Sequence, residues 1–160
     1  MITFVTFLNL YTHKMYNTVK IFHSYWAYLV LIVLILAVFN ALYKSFSGKE
    51  YEAKDFRISL FTLIVSHIQL LIGVMLYFVS PRLDLFSELG MGVVMKDAVH
   101  RLYLVEHPFI NISAVVLITI GYSKHKKKLT SKAKLKLIAI FYTIALVLFL
   151  SRIPWDVWPN

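Results

Sequence analysis

Residues 21–43, IFHSYWAYLVLIVLILAVFNALY, decide the fold. The stretch has no charged residue, no glycine and no proline, and it meets the roughly 20 apolar residues that a helix needs to cross about 30 Å of hydrocarbon. Working outward, three more blocks read the same way: 56–80, 100–121 and 135–150. Of the 160 residues, 59% are hydrophobic and 16% charged, and the mean hydropathy is +0.71. Soluble domains run nearer about a quarter charged, which excludes an ordinary water-soluble globule. The expected fold is all-α: a polytopic membrane protein built as a four-transmembrane-helix, up-down bundle. Residues 15–160 form its single domain, and residues 1–14, too short to span, are read as an N-terminal extension.

The net charge of +9 invites a nucleic-acid reading, but the basic residues sit beside spans. Lys44, Lys49, Lys54 and Arg57 flank the first connection, and Lys124, Lys126, Lys127, Lys128, Lys132, Lys134 and Lys136 fill the third. The second connection holds only Arg82, Lys96 and Arg101. Orientation and anionic lipid account for this pattern, so no nucleic-acid partner is expected. Because positive loops stay cytoplasmic, both termini are expected on the periplasmic side of a bacterial inner membrane. The absence of cysteine removes disulfides, thiolate metal sites, iron–sulfur clusters and thiol nucleophiles.

Polar residues at bilayer depth carry the functional reading, since an ionisable group there costs about 2.5–3.5 kcal/mol on insertion scales. His23, His67 and His107 are the candidates. With span ends at Tyr43, Phe56 and Gly121, a rise of about 1.5 Å per residue puts His23 about 30 Å, His67 about 16 Å and His107 about 21 Å above the cytoplasmic ends. On that count His67 and His107 are nearly level, and His23 lies nearer the outer surface. Two imidazoles on facing helices suit the axial positions of haem b, which needs no covalent attachment. Phe61, Phe78, Phe109 and Tyr142, with Gly73, Ser66 and Ser113, are expected to line the slot, and Arg101 and Arg152 to meet propionates. The other readings are interhelical hydrogen bonding by the same histidines with Asn40, Ser66, Gln69, Asn111 and Thr143, or a bound metal ion or quinone without haem.

Spacing refines the candidates. Ser66, Gln69, Gly73, Tyr77 and Ser80 form one polar or small stripe, whereas His67 and Gln69 diverge by about 200°. His107 and Asn111 share a face. Glu106 has two readings, a proton acceptor beside a quinol or an ion-pair partner of Arg101 or Arg152, and the cost of an unpaired charge favours the pair. Pro108 is expected to free a backbone carbonyl next to the site.

HSYWAYLVL (23–31), SHIQLLIGVMLYFVSP (66–81), RLYLVEHPFINISAVVLITIGYSKHKKK (101–128) and SRIPW (151–155) together resemble a family of small four-span inner-membrane proteins of Bacteroidetes, especially flavobacteria, often labelled cytochrome b-like. The resemblance covers nearly the whole chain from Met15. It implies motif histidines at His23, His67 and His107, with Gln69, Glu106, Pro154 and Trp155 beside them. Many members outside flavobacteria look like they carry arginine four residues after the first histidine, where this chain has Ala27. The function expected is a haem-binding electron carrier or subunit linked to the quinone pool. The alternative is a non-catalytic subunit or assembly factor of a larger membrane complex.

Overall fold

A computed structural model describes residues 4–158, with side chains from Leu10 onward. Four long helices account for most of it: α1 (Phe4–Phe46), α2 (Ala53–Val79), α6 (His107–Lys126) and α7 (Ser131–Ser151). Between α2 and α6 lie a 3₁₀ turn (Pro81–Asp84), three short helices, α3 (Leu85–Leu89), α4 (Met91–Lys96) and α5 (Ala98–Arg101), and a π-helical turn (Leu102–Glu106). No strand occurs among the described residues. Each long helix, α6 together with α5 and the π turn, is long and apolar enough to cross a membrane.

Local chemistry sets the ends. α1 stops where Gly48 adopts φ +65°, which lets the Lys49 amide bond back to the Lys44 carbonyl at 3.0 Å. α2 opens on a reciprocal cap between Glu52 and Asp55 and closes at Ser80, before Pro81. Thr130 caps α7 by accepting from the Ala133 amide.

Two expected boundaries move. The extension 1–14 has no break from the first span, because α1 runs through from Phe4 and nothing near Lys14 or Met15 interrupts a helix; residues 1–3 lie outside the described residues. Gly121 does not end the third span, which continues to Lys126. A Cβ at Gly121 would stand 2.6 Å from the Phe141 Cβ, so this glycine permits close contact of α6 with α7.

The helices stand in a ring, α1 against α2 and α7, α6 against α2 and α7. The α1–α2 and α6–α7 connections share one end, called here the basic end; the opposite one is the terminal end. Val30, Leu34, Ala37, Val38 and Ala41 of α1 meet Val65 of α2, Ala114, Val115 and Ile118 of α6, and Ile138, Ala139, Tyr142, Ala145 and Phe149 of α7. The alanines matter because lipid is as apolar as the core, so close van der Waals packing carries the association. Ile32, Leu36 and Phe39 on α1, Leu71, Met75 and Phe78 on α2, and Ile140, Ile144 and Val147 on α7 face outward, the surface a lipid bilayer would cover.

Candidate functional site

At the terminal end α1 and α6 bring His23 and His107 together, with ring centroids 6.1 Å apart and planes inclined at 66°. The His107 Nδ1–H donates to the Arg152 carbonyl at 2.7 Å. A carbonyl only accepts, so this bond fixes the tautomer and leaves Nε2 with its lone pair.

Around His23 the room comes from α2. A Cβ on Gly73 would lie 3.1 Å from His23 Cε1, so a larger residue would press on the ring. Gln69 donates from Nε2 to the His23 backbone carbonyl at 3.0 Å. Two polar atoms of this group lack a protein partner, His23 Nδ1 and Gln69 Oε1. One is able to donate and the other accepts, and they belong to residues already bonded to each other.

Glu106 makes both pairs weighed from the sequence. Its Oε1 receives Arg101 Nε at 2.8 Å, and its Oε2 stands 3.2 Å from Arg152 Nε. Arg101 also donates to the Met95 carbonyl at 2.7 Å. The carboxylate thus ties the α5 turn to the end of α7, whose Arg152 carbonyl holds His107.

The π turn, in which the His107 amide bonds to the Leu102 carbonyl, lies directly before Pro108. Pro108 has no N–H, so the carbonyl four residues back, Leu104, loses its helical partner. The Tyr77 hydroxyl donates to it at 3.2 Å. The freed carbonyl expected from Pro108 is therefore used, but by a tyrosine of α2. Single π turns recur at functional sites. Asn111 does not reach into the site; its Nδ2 donates to the His107 carbonyl at 2.7 Å within its own helix. Trp158 closes the end by donating to the Ser24 carbonyl at 3.4 Å and stacking on Tyr28.

His67 is elsewhere. Its Nδ1–H donates to the Leu63 carbonyl at 2.8 Å, and its Nε2 stands 3.4 Å from Thr119 Oγ1 on α6. The near-level pairing with His107 fails for a directional reason. Helical side chains lean towards their own N-terminus. α1 and α6 start at the terminal end, so His23 and His107 both lean there, whereas His67 leans towards the basic end. The misplaced α6 terminus adds to this, since from Lys126 His107 is about 28 Å up rather than about 21 Å.

The expected slot lining is also revised. Phe61, Phe78 and Phe109 are exposed towards lipid, and Tyr142 is buried where its hydroxyl donates to the Ser59 carbonyl at 3.0 Å. Aromatic residues in a membrane protein serve the lipid face as readily as the core, and composition does not separate the two.

Sequence reasoning missed an ionic cluster at the basic end. Asp55, 3% exposed, accepts from Lys44 Nζ, from Asn40 Nδ2 and from the Glu52 amide, each at 2.7 Å. The available signal was spacing: Asn40 and Lys44 are four apart on α1, and Asp55 extends the α2 stripe through Ser59, Thr62 and Ser66, all buried.

Among the described residues no group of three or more histidine or carboxylate side chains is placed to hold a metal ion. The His23 and His107 pair is the only arrangement of the three candidate histidines in which two rings approach. No protein-family model, curated protein or solved structure matches the chain.

Proposed function

We propose that the protein is a cytochrome b-like integral membrane protein in which His23 and His107 hold one haem b as its two axial ligands, serving as an electron carrier or subunit linked to the quinone pool. The observation that carries the reading is the 6.1 Å between the two imidazole centroids. Rings bound on opposite sides of one metal ion, each nitrogen about 2 Å from it and each centre about 1 Å further back, stand about 6 Å apart. A hydrogen bond between the rings would bring them closer, and none forms.

The surroundings support the same reading. A metal-binding histidine ordinarily donates its other N–H to a backbone carbonyl or a carboxylate, which sets ring orientation and basicity. His107 does this with Arg152. For His23 the candidate acceptor is the unpartnered Gln69 Oε1, on a residue whose Nε2 already donates to the His23 backbone carbonyl. Arg101 and Arg152 place two positive charges beside His107, of which Glu106 neutralises one, leaving net positive charge for carboxylate propionates. A haem held there would supply one-electron exchange. The chain's own residues orient His107 through the Arg152 carbonyl, seat His23 against Gly73 and hold the Arg–Glu–Arg bridge at the end where Trp155 and Trp158 meet edge to face.

The assignment of orientation rests on charge. The basic end carries most of the lysines, so we place it in the cytoplasm and both termini in the periplasm of a bacterial inner membrane. The resemblance to the four-span Bacteroidetes family belongs to the same proposal.

Reduced-minus-oxidised spectra of detergent-purified protein test it. His23→Ala and His107→Ala are each expected to abolish the b-type signal, and His67→Ala to keep it. Retention of the signal in both of the first two variants would overturn the ligand assignment.

A further inference from the structure

At the basic end, four elements border an open cavity of about 290 Å³ lined by Tyr51, Phe56, His125, Lys126 and Lys134. Tyr51 comes from the α1–α2 connection, Phe56 from α2, His125 and Lys126 from the end of α6, and Lys134 from the start of α7. His125 is 1% exposed and packs against three rings, with centroids 5.7 Å from Tyr51, 6.3 Å from Phe56 and 5.1 Å from Tyr122. Its Nε2 shares a 2.9 Å hydrogen bond with the Tyr51 hydroxyl, which fixes that wall. Burial and the nearby Asp55 charge push the Tyr51 phenol up to about 12, so it remains a neutral hydroxyl at any physiological pH.

The two lysines differ from Lys44 in lacking a carboxylate, and from Lys49 and Lys124, which also rest over rings, in lining this cavity. Lys44 takes Asp55 and Glu52. Lys126 and Lys134 have no carboxylate partner among the described residues; their ammonium groups rest over rings, Lys126 4.7 Å from the Tyr122 centroid and Lys134 5.2 Å from Tyr51. Cation–π contact holds a cation without neutralising it. Two aromatic-seated ammonium groups therefore flank a cavity with no carboxylate in its lining, the nearby Asp55 being paired with Lys44.

We propose that this cavity binds a phosphate group, with Lys126 and Lys134 as its counter-charges and the Tyr51–His125 pair as its rigid wall. Lysine binds phosphate as a point charge, whereas planar carboxylates favour the bidentate fork of arginine, and no arginine lines the site. The cavity lies at the ends of membrane-spanning helices, the level at which phospholipid phosphates sit, and basic pockets between helices there recognise anionic head groups. Free inorganic phosphate presents the same chemistry. The inference is independent of haem.

The test uses the full-length protein. Native mass spectrometry after exposure to phosphatidylglycerol vesicles, with phosphatidylcholine vesicles for comparison, reads lipid retention; phosphorus NMR reads binding of inorganic phosphate to the unmodified chain. We expect Lys126→Gln with Lys134→Gln to lower retention of phosphatidylglycerol, or binding of inorganic phosphate, at least fivefold. Lys127→Gln with Lys128→Gln removes the same charge outside the cavity and should leave it nearly unchanged. Binding of inorganic phosphate without preference for the anionic lipid would support the site and assign it to a free anion. Equal losses in the two double variants, or no bound phosphate from either source, would overturn the proposal, and the NMR measurement decides even if a variant fails to fold.

Discussion

Asp55 is a carboxylate placed where hydrophobic burial alone would forbid one, and it persists because Lys44, Asn40 and a backbone amide all point at it. Removing it leaves Lys44 with only the exposed Glu52, at 2.9 Å, and takes the acceptor from Asn40 and from the Glu52 amide, a loss of buried hydrogen bonds that typically costs about 1–3 kcal/mol. Asp55→Ala is expected to lower the thermal unfolding temperature in detergent sharply, whereas Glu52→Gln, at the exposed edge of the same cluster, should barely move it. Gly121→Ala forces its new methyl against Phe141 and should cost about 1–3 kcal/mol in the same assay. Much at this scale was legible in the sequence. Intramembrane imidazoles announce themselves by their cost, and the Glu106 ion pair follows from the same argument. Which two histidines meet was not legible, because helix ends shift by several residues and because side-chain lean depends on helix direction. Arg101, Arg152 and Gln69 do stand at the terminal end, whereas Asn111, which shares a face with His107, turns back to its own backbone.

The segment Leu102–Pro108 shows how one residue type propagates into an element. Proline deletes a donor, the Leu104 carbonyl is freed, the helix widens by a π turn, and Tyr77 supplies the missing hydrogen. Tyr77→Phe removes that hydrogen and is expected to cost about 1–2 kcal/mol, seen as faster amide exchange through the segment. In a Pro108→Ala background a backbone donor returns, and the same tyrosine substitution should then cost much less; a double-mutant cycle reads the difference directly. A smaller element responds to pH. Asp97 caps α5 by accepting from the His100 amide at 2.7 Å, and this bond holds its carboxyl below the usual carboxylate range. The cap is therefore fully present above pH about 4 and is lost only as pH falls through the lowered value. Exchange protection in α5 should drop in acid below pH about 4. The four long helices were evident from apolar runs alone, whereas the short helices between α2 and α6 were not, since their periodicity is too brief to register.

At the scale of the whole molecule the fold was the most legible feature, because a chain in lipid must satisfy its backbone internally and four long apolar runs leave few other solutions. The arrangement around the ring was not, since a helix that is apolar on every side has no single greasy face to mark which neighbour it packs against. Orientation is open to a simple experiment: the chain has no cysteine, so single cysteines at Ser47 and Ser87 report cleanly. A membrane-impermeant maleimide added to intact spheroplasts is expected to label position 87 and to spare position 47; the reverse pattern would invert the topology. The central claim, that His23 and His107 share one iron, is met most directly by pyridine haemochrome analysis of the purified, full-length protein. The account predicts about one haem b per chain. A homogeneous, folded preparation made in haem-replete cells and containing essentially none would contradict it.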